Sequence, residues 1–522
     1  MKIFIREFKV PIQKTKMSIK FLLERKYHIF ERFIHNVIIS KESIDARDKN
    51  NICIVYNLIV DIDDSKYELV RDNKFISVFD DSISDPEYIK YKMDDRPIIV
   101  GFGPAGMFAA LYLSRCGANP IIIERGSAID ERVKDVEKFL KTKELNPNSN
   151  VQFGEGGAGT FSDGKLTTSV KDPLIRFIIK EFVLHGAKEN IIYESMPHIG
   201  TDYLRIVVKG IREEIIKNGG EFHFNEAFTS YSKNGDLITV NTEKSTYETK
   251  HLILGYGHSA RDTIKMLYDS GANMEAKSFS MGVRIEHKRD FINNAQYGKY
   301  KDELQPAYYK LACHLKNGRG VYTFCMCPGG EVMASTSQDK SIVTNGMSYN
   351  ARDFENSNSG LLVSVTPDDF IKASPLDGMY YQEKYERLAF EVSKDYRAPA
   401  NLVKEFLMGK VAKNIRSVKP SYPHGIVLAD LSRCLPEYVV SSLKEALPIL
   451  DRRLHGFACS DAILTGIETR SSSPVRMIRG EDRQSNIKGL YPIGEGPGYA
   501  GGITSAALDG LKTAMLIVEK GE

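Results

Sequence analysis

Gly101, Gly103 and Gly106 stand at GxGxxG spacing in PIIVGFGPAGMFAALYLSRCGANPIIIERG, residues 97–126. Three glycines placed directly behind a short apolar run suit one task, which is closing a backbone around a pyrophosphate. Gly101 permits the tight turn out of a strand, Gly103 lets the chain approach the phosphates, and Gly106 lets the next helix pack close to the sheet. Pro104 and Ala105 open that helix, whose unpaired N–H groups and positive dipole end face the same point. A second apolar run, PIIIE, ends in Glu124 beside Arg125, where an acid can hydrogen-bond both hydroxyls of a ribose. Strand, glycines, helix, strand and acid in register describe a dinucleotide cradle.

FAD and NAD use the same cradle, so the far end of the chain must choose between them. There GLYPIGEGPGYAGGITSAALDGLKTAMLIVEKG, residues 489–521, reads as a strand ending in Gly494 and Glu495, then a helix opened by Gly502 and Ile503. It resembles the closing motif of two-dinucleotide-fold flavoproteins, in which an acid, usually Asp, binds a ribityl hydroxyl and the last helix aims its N-terminus at the flavin. FAD is therefore favoured, and without a covalent link, because no His or Cys sits in the cradle turn. KHLILGYGHSARDTIKML, residues 250–267, places Gly255, Tyr256 and Gly257 where such flavoproteins commonly carry Ala-Thr-Gly. VQFGEGGAGTFSDGKLTT, residues 151–168, is glycine-rich around Gly156 and Gly157, so its backbone can lie against a planar ring. Phe153 and Phe161 favour a packed run over a flexible loop.

Other residues of chemical interest leave alternatives open. Arg470, Arg476 and Arg479 fall within ten residues in GIETRSSSPVRMIRGEDR. They suit a carboxylate or phosphate substrate, or simply a solvated basic loop. Cys325 and Cys327 in YTFCMCPGGEVMAS read as packing residues on one strand face, as a redox pair, or as half of a metal site. No partner ligand set accompanies them, so no metal is assigned. His258, His287 and His314 stand alone and read as structural. No catalytic acid or base is named.

These residues need elements to hold them, and 522 residues exceed what one hydrophobic core supports. With 42% apolar and 27% charged residues the chain is ordinary globular material. A net charge of +3 counts against a whole-molecule field for nucleic acid. The charged N-terminus and the lack of a long apolar run give no signal peptide or membrane span, and seven irregularly spaced cysteines give no disulfide framework. A cytoplasmic location with reduced thiols is expected. Residues 1–94 read as a small β-α-β-β module, with a helix across MSIKFLLERKYHIFERFI and an acidic linker DDSISDPEYIKYKMDD at its end. Residues 95–272 and 480–522 form the FAD-binding domain, and 273–479, too long for a loop, an inserted substrate or cap domain. The fold class is α/β: a two-dinucleotide-fold, Rossmann-like FAD domain, an inserted α+β domain and an N-terminal α+β module.

The set GFGPAG, IIIERG, NVQFGEGGAGTFSDGKLTT, GHSARDT, MGVRIEH, FCMCPGGEV, TNGMS, GIETRSSSPVRMIR and GLYPIGEGPGYAGGITSAALDG resembles the bacterial family of uncharacterised NAD(FAD)-utilising dehydrogenases. The resemblance spans nearly the whole chain and implies an FAD fold of the glutathione-reductase type with an inserted second domain. It does not name a substrate. Nothing in the insert repeats GxGxxG, so a nicotinamide, NADH or NADPH, would have to dock transiently. The leading expectation is an FAD-dependent oxidoreductase acting on a small anionic molecule by hydride transfer. A flavoprotein acting on RNA, motivated by 12 Lys and Arg against 6 Asp and Glu in residues 1–50, and a regulatory flavin-binding protein without turnover stand beside it. The oligomeric state is not legible.

Overall fold

Residues 98–100, 121–123, 221–223, 252–254 and 490–492 are short, apolar or half-apolar runs, and they pair as one parallel sheet. Its order is 490–492, 252–254, 98–100, 121–123, 221–223, with Ile98–Val100 at the centre. The computed structural model describes residues 1–80 and 85–520. Helix Pro104–Arg115 leaves the central strand and is buried along almost its whole length. The closing helix Ile503–Lys520 packs across it. A Cβ at Gly510 would lie 1.9 Å from the Ala105 carbonyl oxygen, so this crossing admits only glycine. A three-stranded antiparallel ribbon, 228–234, 237–242 and 246–249, fills the connection from the edge strand back to the interior.

The chain leaves this unit through Met274–Ala276 and returns through Val475–Met477, which pair antiparallel. Between them a seven-stranded sheet forms in the order 312–314, 320–327, 356–365, 279–288, 463–468, 398–402, 426–428. Only its outermost pair is parallel. Helices Asp377–Ser393 and Glu437–Asp451 cover it, and together they enclose the largest apolar core. Its long interior strands Phe279–Lys288 and Asn356–Val365 are buried along nearly their whole length.

The first 80 residues make a separate four-stranded antiparallel sheet, ordered 34–45, 53–62, 2–11, 76–78. Its helix spans only Ile19–Tyr27 and not the longer run expected. His28 adopts a left-handed φ of 58° and its N–H caps the Glu24 carbonyl, which stops the helix before Phe30. The strand Ile76–Val78 was not expected at all. The acidic stretch after it behaves differently from a free linker, although residues 81–84 lie outside the described ones. Tyr91 is buried with its N–H on the Cys116 carbonyl, and Tyr112 donates to the Glu87 carbonyl, so this segment lies against the cradle helix. Among the described residues no helix is long and apolar enough to cross a membrane.

Candidate cofactor and substrate site

A cleft of about 520 Å³ opens where the parallel strands end and the seven-stranded sheet begins. Val100, Gly101, Gly103, Pro104 and Ala105 wall one side; Tyr308, Thr323, Cys325, Asn345 and Glu468 wall the other. Ligands of open α/β sheets bind at this position, outside the carboxyl ends of the strands.

The cradle residues divide into those that face the cleft and those that hold it. Gly101 turns at φ +90°, and a Cβ there would sit 2.4 Å from the Gly255 carbonyl oxygen. Gly106 packs under that turn, where an added Cβ would lie 2.0 Å from the Gly101 carbonyl oxygen, and does not line the cleft. Gly103 differs from both: it lines the cleft, and a Cβ there would meet Gly157 Cα at 3.8 Å, an ordinary contact without a clash, in the space of the cleft. That space lies beside the N-terminus of Pro104–Arg115, which no side chain caps. A glycine lining the cleft beside an uncapped helix start fits a pyrophosphate, so the residues present suit FAD.

Glu124 is buried and already engaged: its Oε2 accepts from Phe102 N–H at 2.9 Å, and its Oε1 from Gly126 and Gly154 N–H at 3.0 Å each. Three backbone donors leave about one of a carboxylate's four lone-pair positions free, so the residue organises two loops as well as facing the cleft. Arg125 bonds Asp262 and Thr263 and lies 4.5 Å from the Phe153 ring, closing that end of the cleft. Gly157, Gly257, Gly502 and Ile503 line it; Gly156 and Gly494 do not. Gly156 packs against Thr160 and Val208, and Gly494 donates its N–H to Asp509. Glu495 lines the cleft with Oε2 3.4 Å from His258 Nδ1, and the His258 Nε2 is buried with no partner. Of the three histidines judged structural, His258 is therefore a cleft residue. His287 bonds the Phe457 carbonyl, and burial lowers it to about 4, while His314 is exposed on the edge strand.

The three arginines separate. Arg470 lines the cleft, but its guanidinium is bidentate to Glu386, which also takes Arg261. Burial opposes charge on Glu386, yet the two cations hold its carboxyl far below the ordinary range. Arg476 lies outside the cleft, 3.4 Å from Glu275. Arg479 is also outside it, bidentate to Asp509 on the closing helix. Sequence proximity did not make a cluster because the returning ribbon strand runs through the middle of it.

Cys325 and Cys327 both line the cleft, but a bulge between Phe324 and Cys327 breaks the alternation expected of one strand face. Cys325 takes a left-handed φ of 40°. Arg284 bonds the Cys325 carbonyl at 2.8 Å and approaches the Cys327 sulfur at 3.7 Å, with Glu468 as its partner at 3.0 Å. Cys325 is exposed to the cleft, whereas Cys327 is buried, and that burial raises its thiol. Elsewhere Glu181, His185 and Glu214 could offer metal-ligand atoms, but Arg115 already bridges both carboxylates.

Lys165 went unremarked in the sequence, hidden in a glycine-rich run where a lone lysine reads as solvated. Here its Nζ is buried and has no hydrogen-bond partner. Asp163 lies 3.8 Å away, and the Tyr308 ring centre 5.1 Å away.

Residues 278–471 match the family described as FAD-dependent protein, C-terminal domain-like. A protein of Clostridium beijerinckii, described as uncharacterized, is 48% identical over 508 residues, covering 95% of each chain. Among solved structures, CtdE in complex with FAD gives a TM-score of 0.33 at 12% identity, over 81% of this chain and 84% of that one. The halogenase PltM, as an L111Y mutant with FAD, gives 0.39 at 12% identity, over 82% and 70%. Likenesses at that level add nothing to the assignment, which rests on the sequence matches. The chain belongs to the family of the clostridial protein, carries the FAD-dependent protein C-terminal domain, and takes FAD as its cofactor.

Proposed function

We propose that the protein is an FAD-dependent oxidoreductase that exchanges a hydride with a small anionic molecule, on a cofactor fold of the glutathione-reductase type. The observation that carries this reading is the shared cleft. Cradle residues and side chains of the seven-stranded sheet face each other across one space, so a dinucleotide laid on Gly103 reaches groups that belong to the insert. Bound flavin supplies hydride acceptance and donation at its ring. The chain's own residues do the rest: the helix at Pro104 and the closing helix at Ile503 orient the cofactor, and Tyr308, Thr323 and Glu468 shape the space beside it. Residues 95–272 with 480–522 are read as the cofactor domain and 273–479 as the substrate domain. A nicotinamide, where it is the donor, docks transiently.

Anaerobic stopped-flow mixing of the purified yellow protein with NADH, NADPH and a panel of small carboxylates tests the reading. Bleaching of the flavin band by a member of the panel is expected. A flavin that no small molecule reduces or reoxidises overturns it in favour of a binding role.

A further inference from the structure

Every acid near the insert side of the cleft already has its own cation. Asp163 accepts from Arg352 at 2.9 Å and from Ser348, and although burial works against its charge, Lys165, Arg352 and His198 hold it at about 2. Glu468 pairs with Arg284, and Glu386 with Arg261 and Arg470. Lys165 shares Asp163 with Arg352, and its ammonium makes no hydrogen bond. Its ammonium stands beyond hydrogen-bond distance of Asp163, beside Tyr308, in the wall of the cleft. An ammonium whose hydrogen bonds are all unmade is completed by a charged acceptor that arrives with the ligand. Lys310, exposed, lines the same cleft and adds a second positive group.

We propose that Lys165 is the anion anchor of the substrate subsite and that the substrate presents a carboxylate to it. An ammonium whose hydrogen bonds are unused suits a single carboxylate. A phosphate dianion would call for a nest of amides or a guanidinium fork, and the guanidiniums here are all committed. Tyr308 and Phe324 beside it leave room for an apolar body attached to that carboxylate. This rests on the oxidoreductase reading above, whose substrate it makes specific.

The test uses the FAD-loaded protein and two probes of one shape, benzoate and the neutral benzamide, with binding followed by titration calorimetry and the visible spectrum reporting bound flavin. Benzoate is expected to bind saturably and to perturb the flavin band, with benzamide at least tenfold weaker. Lys165→Met should weaken benzoate by roughly ten- to a hundredfold, the loss of a charge-assisted hydrogen bond, while Lys165→Arg keeps it within a few-fold. An unchanged flavin spectrum in each variant shows that the cleft is intact. Benzoate binding equally to native protein and Lys165→Met, or failing to bind native protein at millimolar concentration, overturns the anchor. The two readings fail separately. Charge-dependent benzoate binding in a protein whose flavin nothing reduces sinks the oxidoreductase and leaves the anchor. Turnover of a neutral substrate with an unchanged KM in Lys165→Met does the reverse.

Discussion

Gly101 and Gly103 stand two positions apart and should fail in different ways when filled. Gly103→Val puts a side chain into the cleft without a backbone clash at its Cβ, so the expected product is a folded, colourless protein with near-native circular dichroism and no bound FAD. Gly101→Val sets a side chain against the Gly255 oxygen at a left-handed φ, a cost on the order of 3 kcal/mol or more, so the fold itself should melt early. Glu124→Ala goes beyond a lost ribose contact. Three buried amides lose their acceptor at about 1–3 kcal/mol each, and a lowered melting temperature should appear even in FAD-stripped protein. A melting change seen only with FAD bound would show that the loops do not depend on it. For the thiols, the burial that raises Cys327 argues against a dithiol exchanging electrons. Dithionite titration of native protein and of the double Cys325→Ser, Cys327→Ser variant should both end once the flavin pair is filled. A second electron pair taken up by native protein alone would establish a redox dithiol. The cradle was legible because turn, close approach and helix packing are demands on neighbouring residues. Lys165 was not, because its isolation depends on Arg352, far along the chain, taking Asp163.

At the scale of elements, the closing strand and closing helix meet at Asp509. Its carboxylate takes Arg479, Arg483 and the Gly494 N–H, at 2.6–2.9 Å. Burial pushes the acid up, but these partners win and hold it below the ordinary 3.8. A depressed folded value means stability that is present above 3.8 and lost as pH falls through the folded value. Asp509→Asn should therefore melt well below native protein at neutral pH, with the gap narrowing in acid; a gap that does not change with pH rules this out. The sequence offered Arg479 as a substrate ligand because residue type and spacing say nothing about which way a strand turns its side chains. The same limit applies to the bulge at Cys325, and to the N-terminal helix, whose periodicity continued past the His28 turn that ends it.

At the scale of the whole molecule, the N-terminal sheet touches the rest through few groups. Ile12 and Ile52 enter the large core, Gln13 bonds Tyr300, and Glu42 exchanges backbone bonds with Tyr193 and Ser195. Among the described residues none before Val100 lines the cleft. A chain starting after residue 80 should therefore stay yellow. One starting after 94 strips Tyr91 from the cradle helix and should bind FAD less firmly or fold poorly; equal FAD retention by both would make the 85–95 segment dispensable. The ribbon of Met274–Ala276 against Val475–Met477 has a broader consequence. The chain's exit and re-entry points are neighbours, so the cofactor half sees the whole insert as the closure of a hairpin, whatever lies inside it. Lengthening, shortening or replacing the interior of the insert carries almost no entropic penalty for the cradle. A change of length between residues 278 and 474 therefore leaves the path of the chain through the parallel sheet unaltered.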